Sequence, residues 1–568
     1  MFQWLNGRGG HYLLLVLVGG GLFFPNLGRP SLWDIDEGNN AEAAREMWLS
    51  GNWIVPTFNG NLRVDKPALL YWCQVMAYQW FGVNEFAARF PSALAGLLML
   101  LLTYEFGLQI FDAAAGLLAG LILASSMLFC ALVHFANPDA LFNLFLLLSM
   151  FILWRNGRQA HWLWFVLGGV SMGLATLAKG PVGLMLPMAV YVLFMVWSRR
   201  WRALWDARLL LGLLVFAVVV GPWYGLVGAE TRGEFLRGFL QRHNFERFTT
   251  TMEKHSGPFY YYVLVVALGF LPWSVFLGPT LRQAVRQVRA DDPQASTYRF
   301  LWSWIAVFVV FFSFAQTKLP NYILPIFPAL ALLTGQYLVA WRRGWVQEPA
   351  WVMKVCLGLL VFAGIGVILG MLWTGNVLSW PKFKGERLPG MEIYAVLGVP
   401  LIVGAAAAYG CLLYQRRQAL LAVCLVTAFL FIGGAAAGPP LVVERYKAPK
   451  KLVEMSKARQ TTQDVRIACY KYFQPSLVFY CQREVQRFRE ERQALEFLQS
   501  PLPVYLFVPA PVWQRMEEKT GGRYHCVGQH RDMFRLCDVV VITNQPHEAQ
   551  AGMAHGSTPK SRIVKIDK

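Results

Sequence analysis

Apolar runs of nearly membrane-spanning length recur along the first 440 residues of this chain. A spanning helix needs roughly 20 mostly apolar residues, and we predict about 13 spans by this measure. The runs lie at 11–27, 90–110, 113–134, 139–154, 162–179, 182–197, 207–228, 258–280, 300–316, 320–340, 351–374, 392–414 and 419–437. The chain is 56% hydrophobic and only 15% charged, which excludes an ordinary soluble protein and favours a polytopic membrane protein.

Arginines gather in every second connection between these runs. The clusters are Arg155 and Arg158; Arg199, Arg200, Arg202 and Arg208; Arg282, Arg286, Arg289 and Arg299; Arg342 and Arg343; and Arg416 and Arg417. The positive-inside rule assigns these connections to the cytoplasm. The first long loop, 28–89, and the C-terminal segment then face outward. The net charge of +19 therefore reflects membrane topology, and we expect no nucleic-acid partner.

The composition changes at about residue 441. Short β-type runs begin to appear, with a charged, helix-like stretch at 483–498 between them. The β-type runs are Val465–Tyr470, Val504–Val508 and Cys537–Ile542. We predict a membrane domain over 1–440, a small soluble α/β domain over 441–545 and a disordered polar tail over 546–568.

The first outward loop carries the most informative charges. Asp34, Asp36 and Glu37 fall within four residues of one another, and Arg63 and Lys66 follow in the same loop. A sugar transferase needs a carboxylate to accept or orient the acceptor proton and cations to stabilise a departing phosphate. We take Asp36 and Glu37 as catalytic candidates, Asp34 as a substrate contact, and the two cations as phosphate ligands. The alternative is that the carboxylates cap and solvate a surface helix, and both interpretations remain open on the residues alone.

Several motifs together resemble a known family. Arg-Pro-x-Leu-x-Asp-x-Asp-Glu begins at Arg29, Ala-Glu-x-x-Arg-Glu-Met at Ala41, and Asp-Lys-Pro-x-Leu-x-Tyr-Trp at Asp65. Further signatures lie at 243–261 and 318–325. The set resembles bacterial aminoarabinose lipid A transferases and the wider protein-mannosyltransferase-like family. The resemblance implies a GT-C glycosyltransferase fold, all-α and polytopic, with a small C-terminal soluble α/β domain.

The resemblance also implies roles for individual residues. Asp36 falls on the family's catalytic aspartate, and Lys66 falls on its phosphate-binding lysine. Asp139 matches a second acidic position, which we assign to catalysis, and Tyr322 matches a tyrosine near the donor phosphate. No metal is required by this mechanism, or a cation is at most weakly associated with it.

Two positions depart from the family pattern. Asn39 stands where aminoarabinose transferases usually carry arginine, and Asp65 stands where they usually carry glutamate. Both are assigned to substrate binding. Because both lie close to the expected donor site, the sugar and the acceptor could differ from aminoarabinose and lipid A.

Charged residues at the outward ends of the predicted spans have two interpretations each. Asp139 follows a proline and could act only as a helix N-cap. Lys179 and Lys318 could extend to the lipid headgroups or bind a lipid phosphate. We assign Lys318 to the donor phosphate.

A later outward loop adds His243, Arg247 and His255, to which we assign substrate contacts. The alternative is a divalent cation held by the histidines with Asp65 or Glu37, since these are suitable ligands. A separation of 12 residues between the histidines is not a metal-ligand signature, so hydrogen bonding is preferred.

We therefore predict transfer of a sugar from a polyprenyl-phosphate carrier to a periplasm-facing acceptor, lipid A or lipopolysaccharide first, at the bacterial inner membrane. Topology also supports the donor class. Nucleotide sugars are cytoplasmic, whereas the carboxylate cluster faces outward, so we expect the activated sugar to arrive on a lipid carrier. Rival hypotheses are a protein acceptor, another glycan acceptor, and a transporter of lipid-linked sugars. A transporter predicts essential charges at mid-span, whereas these charges collect at the outer ends.

Overall fold

The computed structural model describes residues 7–158, 161–246, 257–289, 294–378, 387–456, 458–460 and 464–546, without the side chains of 242–245. The chain forms two compact units. The first comprises Met1–Lys450 and Gln474–Glu484, and the second comprises Lys451–Phe473 and Val485–Lys568.

The first unit is built from helices. In chain order before residue 450 they are α1 Arg8–Phe23, α2 Asp36–Ser50, α3 Leu69–Phe81, α4 Glu85–Ile110, α5 Ala113–Ala124, α6 Met127–Val133, α7 Asp139–Arg158, α8 Trp162–Lys179, α9 Val182–Trp197, α10 Arg208–Glu230, α11 Glu234–Arg237, α12 Tyr261–Gly269, α13 Leu277–Arg289, α14 Ala295–Phe314, α15 Phe327–Arg342, α16 Ala350–Thr374, α17 Gly398–Leu413, α18 Arg417–Ala437 and α19 Pro439–Glu444. Short 3-10 turns (Trp201–Trp205, Trp273–Phe276, Pro320–Ile326 and Met391–Leu397), a π-helix (Gly238–Glu246) and a small hairpin (β1 Thr57–Phe58, β2 Asn61–Leu62) complete this unit before residue 450.

The helices bear out a multi-pass membrane protein. Among the described residues, nine helical segments are long and apolar enough to cross a membrane, and eleven if each of two bent pairs counts as one span. The bent pairs are α5 with α6, at 66°, and α12 with the helical stretch 273–289, at 114°. Two shorter apolar helices, α1 and α9, accompany them. Every predicted apolar run coincides with one of these elements, because spanning length and composition are local properties of the sequence.

Local chemistry sets several helix boundaries and contacts. Asn84 and Asp112 cap α4 and α5, each accepting a backbone N–H at 2.9 Å, which satisfies a donor left unpaired at a helix start.

Small residues let α4 and α5 approach closely. A Cβ on Gly107 would lie 2.5 Å from the Cα of Gly116, so the pair works as a small-residue contact between membrane helices.

The second unit contains a five-stranded sheet, as the α/β pattern predicts. The elements after residue 447 are α20 Ala448–Ser456, β3 Arg466–Tyr470, α21 Pro475–Cys481, β4 Val485–Phe488, α22 Glu491–Leu498, β5 Val504–Pro509, α23 Ala510–Thr520, β6 His525–Asp532 and β7 Cys537–Thr543. The strand order is β4-β3-β5-β7-β6. β3 runs parallel to β4 and β5, while β7 runs antiparallel to β5 and β6.

One local prediction in this region is wrong. The charged stretch 483–498 is not helical throughout, because Val485–Phe488 forms β4 and only Glu491–Leu498 forms a helix. β4 pairs with β3, with Val485 opposite Ile467. This pairing is nonlocal, and its two exposed central side chains hide the strand pattern among charged residues. α21, between these strands in sequence, belongs to the first unit.

Candidate active site

Three carboxylates at the start of α2 have three different environments. Asp34 precedes the helix and is buried. Its carboxylate accepts the backbone N–H of Ser476 at 2.7 Å and also the hydroxyl of Ser476. Both residues belong to the first unit. Asp34, predicted to contact substrate, is thus held inside the protein.

Glu37 is also buried and is fully hydrogen-bonded. Arg89 donates to its two oxygens at 2.8 and 2.7 Å. The backbone N–H groups of Ala136 and Trp33 donate at 2.6 and 2.7 Å. Burial opposes ionisation of Glu37, but Arg89 and these backbone donors outweigh it and lower the pKa of the carboxyl. This environment fits a fixed anion that positions α2 better than a proton-transfer group.

Asp36 is the exposed member of the three. It is the first residue of α2, where the helix dipole favours a negative charge. Its charge acts on Arg63 and Tyr71, so it lies near the segment that carries the predicted phosphate ligands. An exposed carboxylate in this position can contact an incoming acceptor.

Arg63 organises the other side of this segment. Its guanidinium is buried and donates to the Tyr71 hydroxyl at 2.9 Å and to Asn40 Oδ1 at 3.2 Å. It also pairs with Asp65 at 2.8 Å. Burial works against its charge, yet Tyr71, Asp65 and Asp36 together raise the pKa of Arg63. With three neighbours engaged, Arg63 holds the loop in place and sets the electrostatics around Asp36.

Lys66, Asp65 and Asn39 are partly exposed. Lys66 directly precedes Pro67, close to the first turn of α3. An open cavity of about 490 Å³ lies beside Val64 and is bordered on its other side by 231–238, including Arg232 and Arg237. A substrate could therefore approach the segment that carries Lys66 from this cavity.

A second cluster joins the ends of α7, α8 and the 3-10 turn Pro320–Ile326. Asp139, buried at the start of α7, forms an ion pair with Lys179 at the end of α8. The ammonium of Lys179 also lies over the ring of Tyr322, at 4.9 Å from its centroid. The structure thus brings together Asp139 and Tyr322, which are far apart in sequence, through a lysine whose role the sequence left open. A cation–π attraction of this kind is stronger when the ammonium is partly desolvated.

The two clusters share one turn. Asn40, one turn into α2, donates to the Ala136 carbonyl at 3.1 Å, and Ala136 also donates to Glu37. Ala136 lies three residues before Asp139. The start of α2 and the start of α7 are therefore fixed to each other.

Lys318 has a different environment from its predicted one. Its ammonium is buried and donates to the carbonyls of Ser313 and Ala315 at 3.0 and 2.7 Å. These carbonyls lie at the end of α14, where unpaired acceptors and the helix dipole favour a cation. This arrangement favours a capping role over phosphate binding.

The predicted substrate contacts in the loop from His243 to His255 fall outside the described part of the structure. Arg247 and His255 lie outside the described residues, and so does the side chain of His243. Their predicted substrate contacts remain predictions, and so does the alternative metal site with Asp65 or Glu37. Within the described ranges, no group of three or more His, Cys, Asp or Glu side chains is arranged to hold a metal ion.

Sequence reasoning missed three residues that shape the site. Arg89, Ser476 and Asn40 hold Glu37, Asp34 and Arg63 respectively. Each pairing joins residues that are distant from each other in the sequence. Only Arg89, the partner of Glu37, can be suspected from the sequence, because an arginine at the start of an apolar span needs a partner.

Comparison with known proteins identifies the family. Residues 65–224 match the model described as dolichyl-phosphate-mannose-protein mannosyltransferase. Undecaprenyl phosphate-alpha-4-amino-4-deoxy-L-arabinose arabinosyl transferase of Pseudomonas paraeruginosa is 31% identical over 448 residues, covering 77% of this chain and 78% of the relative. The chain belongs to this arabinosyl transferase family. The Erwinia tasmaniensis transferase of the same name is 32% identical over 434 residues, covering 74% of this chain and 75% of the relative.

The solved structures agree with this family membership. ArnT from Cupriavidus metallidurans, crystallised with undecaprenyl phosphate, matches with a TM-score of 0.77 and 25% identity over 95% of this chain and 99% of that chain. The predicted GT-C fold and the glycosyltransferase class with a polyprenyl-phosphate-sugar donor are confirmed. The chain is a multi-pass membrane glycosyltransferase.

Proposed function

We propose that this arabinosyl transferase family member moves 4-amino-4-deoxy-L-arabinose from undecaprenyl phosphate to a phosphate of lipid A, at the periplasmic face of the inner membrane. The names of its relatives supply the sugar and the carrier. The alternating arginine clusters supply the orientation, because they place the loop with Asp36 outside. Lipid A supplies an anionic acceptor at that face.

The observation that carries the proposed mechanism is the exposure of Asp36. Of the three carboxylates in the first-loop motif, Asp34 and Glu37 are buried and bonded to Ser476 and Arg89, while Asp36 is exposed. Only an accessible carboxylate can contact an acceptor. Asp36 is therefore the catalytic group, and the other two position it.

Binding of the donor uses cations at the outer ends of the helices. The carrier phosphate lies near Lys66, with Arg63 fixing the loop from behind. Tyr322 and Lys179 form the opposite wall, and Asp139 orients the lysine. Fixed cations of this kind stabilise the charge that develops on the leaving phosphate.

The transfer itself is a substitution at the anomeric carbon. The bond from C1 to the carrier phosphate oxygen breaks, and its electron pair remains on undecaprenyl phosphate. A lipid A phosphate oxygen forms the new bond to C1. Because that oxygen is already anionic, Asp36 orients the acceptor more than it deprotonates it. The proposed reaction needs no metal, so EDTA should leave the rate unchanged.

The proposal is tested in a Gram-negative host that makes undecaprenyl-phosphate-aminoarabinose but lacks its own transferase. Wild type, Asp36→Asn and the control Glu230→Gln, an exposed carboxylate at the end of α10, are expressed at equal levels. Mass spectra of extracted lipid A should gain one aminoarabinose with wild type and with the control. The mass shift should be absent with Asp36→Asn.

Other outcomes would redirect or reject the proposal. Without a shift from well-expressed wild type, lipid A is not the acceptor in that host, and glycosylated envelope proteins are then examined for the protein-acceptor alternative. A shift that persists in Asp36→Asn removes Asp36 as the essential group.

A further inference from the structure

A short hairpin directly precedes the segment that carries Arg63 and Lys66. Its strands, β1 and β2, pair over only two residues each. Asn59 and Gly60 form the turn between them, with φ of 53° and 71°, the conformation that an Asn-Gly pair favours in a two-residue hairpin. A ladder of this length is not stable by itself, so contacts with the rest of the first unit must hold the hairpin in place.

Glu46, half-buried near the end of α2, supplies three of these contacts. One of its carboxylate oxygens accepts the hydroxyl of Thr57 at 2.6 Å. The other oxygen accepts the backbone N–H groups of Asn59 and Gly60 at 2.5 and 3.4 Å. Hydrogen bonds to a charged acceptor are stronger than neutral ones. All three donors belong to the hairpin, so Glu46 fastens the hairpin to α2.

The chain then runs from the hairpin back along α2. The backbone N–H of Arg63 donates to the Pro56 carbonyl at 2.9 Å, next to the strand pairs of the hairpin. The guanidinium of Arg63 donates to Asn40, which lies six residues before Glu46 on α2, or roughly 9 Å along the helix axis. The segment is thus fixed to one helix at two points, and Lys66 follows three residues after the second.

We propose that Glu46 is a positioning residue for the donor phosphate, acting through the hairpin on Lys66. This inference rests on the proposed function, which assigns Lys66 to the carrier phosphate. Glu46 itself does not touch the substrate. Without its carboxylate the hairpin shifts on α2 and moves Lys66, and a small displacement of a group that holds the substrate is costly. Loss of Glu46 therefore weakens binding of the donor.

Native mass spectrometry of the full chain in detergent, titrated with undecaprenyl phosphate, tests this role. Glu46→Met keeps the length and helix preference of the side chain but removes both carboxylate oxygens, and it should raise the Kd about tenfold. Glu46→Gln keeps one acceptor oxygen for the turn and an amide group that can donate to Thr57, so it should recover most of the loss. The KM for undecaprenyl-phosphate-aminoarabinose should change in the same order. A smaller folded fraction would instead lower kcat and leave Kd and KM unchanged.

A second variant probes the same contact from the hairpin. Thr57→Val removes the hydroxyl donor with little change of shape and should raise the Kd about threefold. Combined with Glu46→Met it should have no further effect, because its partner is already absent. Thr57→Val leaves the two backbone hydrogen bonds to Glu46 in place, so it decides the question if Glu46→Met folds poorly. An unchanged Kd in Thr57→Val would then overturn the proposal.

The matched control is Glu105→Met. The carboxylate of Glu105, near the end of α4, accepts the hydroxyl of Tyr12 at 2.6 Å, so a bond of the same kind is lost. Glu105 lies sixteen residues after Arg89 on α4, or roughly 24 Å along the helix from the contact of Arg89 with Glu37. This control should bind undecaprenyl phosphate as the wild type does.

Lys66→Met separates failure of this inference from failure of the proposed function. If Lys66→Met binds undecaprenyl phosphate as tightly as the wild type, the proposed donor site is wrong and the role of Glu46 with it. If Lys66→Met binds weakly but Glu46→Met binds as the wild type does, only the role of Glu46 is rejected. An equal loss in Glu46→Met and Glu105→Met would also reject it, as would a loss in Glu46→Gln as large as that in Glu46→Met.

Discussion

The carboxylate of Asp34 accepts two hydrogen bonds from Ser476, one from its backbone N–H at 2.7 Å and one from its hydroxyl. Asp34 lies two residues before Asp36, so this contact fixes the entry into α2. Gly38 allows the close approach, because a Cβ there would lie 2.8 Å from the Cα of Ser476. Tyr480, in the same segment, accepts the N–H of Leu32 at 2.7 Å. Ser476 is therefore a positioning residue for Asp36.

Ser476→Ala removes one of the two bonds and leaves Asp34 only partly satisfied. We expect kcat to fall about tenfold, since a small displacement of Asp36, the proposed catalytic group, is costly, while KM for the donor changes little. Ser476→Thr retains the hydroxyl and should recover part of the loss. The measurement is initial-rate kinetics on purified protein with undecaprenyl-phosphate-aminoarabinose.

Ser50→Ala is the control for this series, because Ser50 is exposed at the other end of α2. Its kinetics should match those of the wild type. An unchanged kcat in Ser476→Ala, or a loss in KM alone, would contradict a positioning role for this serine.

The three carboxylates of the motif also mark the limit of prediction from sequence. Their spacing indicates a cluster but cannot distinguish its members, because the distinction depends on remote partners. Arg89 lies 52 residues from Glu37, and Ser476 lies 442 residues from Asp34. The spans, in contrast, are predictable from local apolar length. The sequence does not predict β4 for the same reason, because the pairing of β4 with β3 is nonlocal.

The ion pair of Asp139 with Lys179 gives a second prediction. Lys179→Met removes the cation beside Tyr322 and leaves Asp139 buried without its partner. We expect kcat/KM to fall about a hundredfold, as for loss of a group that stabilises developing charge. Asp139→Asn should cost a similar amount. The double variant should be little worse than either single one, because the pair acts as a unit.

Steady-state kinetics of the four proteins form a double-mutant cycle that checks this coupling. Lys354→Met serves as a control, since Lys354 is an exposed lysine on α16. Losses that multiply in the double variant would show that Asp139 and Lys179 act separately.

The buried pair of Glu37 and Arg89 predicts a stability effect. Arg89→Gln leaves the carboxylate of Glu37 buried without its cation and should destabilise the protein by about 3–5 kcal/mol. Glu37→Gln keeps one oxygen and can accept only one of the N–H groups of Trp33 and Ala136. It should still cost less, because Arg89 retains its hydrogen bonds to the carbonyls of Leu27, Pro30 and Ser31. Thermal unfolding in detergent measures both. A loss for Glu37→Gln as large as that for Arg89→Gln would show that the charge of Glu37 itself is required.

The buried residue Glu42, on α2, predicts that the stability of the protein depends on pH. Its carboxylate is fully buried and receives two hydrogen bonds from Arg45 at 2.7 Å. Burial outweighs Arg45, with the nearby charge of Glu46 acting in the same direction as burial, and raises the pKa of Glu42 from its ordinary value of 4.5 to about 7. The folded protein therefore binds this proton more tightly than the unfolded chain does.

The sign follows from proton linkage. The contribution of Glu42 to stability is fully present below pH 4.5 and is lost as pH rises through about 7. The whole effect corresponds to at most about 3 kcal/mol. Glu42→Gln cannot ionise, so its melting temperature relative to wild type should rise between pH 5 and pH 8. Thermal unfolding of both proteins in detergent at these two pH values measures the change. A difference that is constant with pH would show that Arg45 keeps Glu42 ionised throughout this range, and a difference that falls would contradict the raised pKa of Glu42.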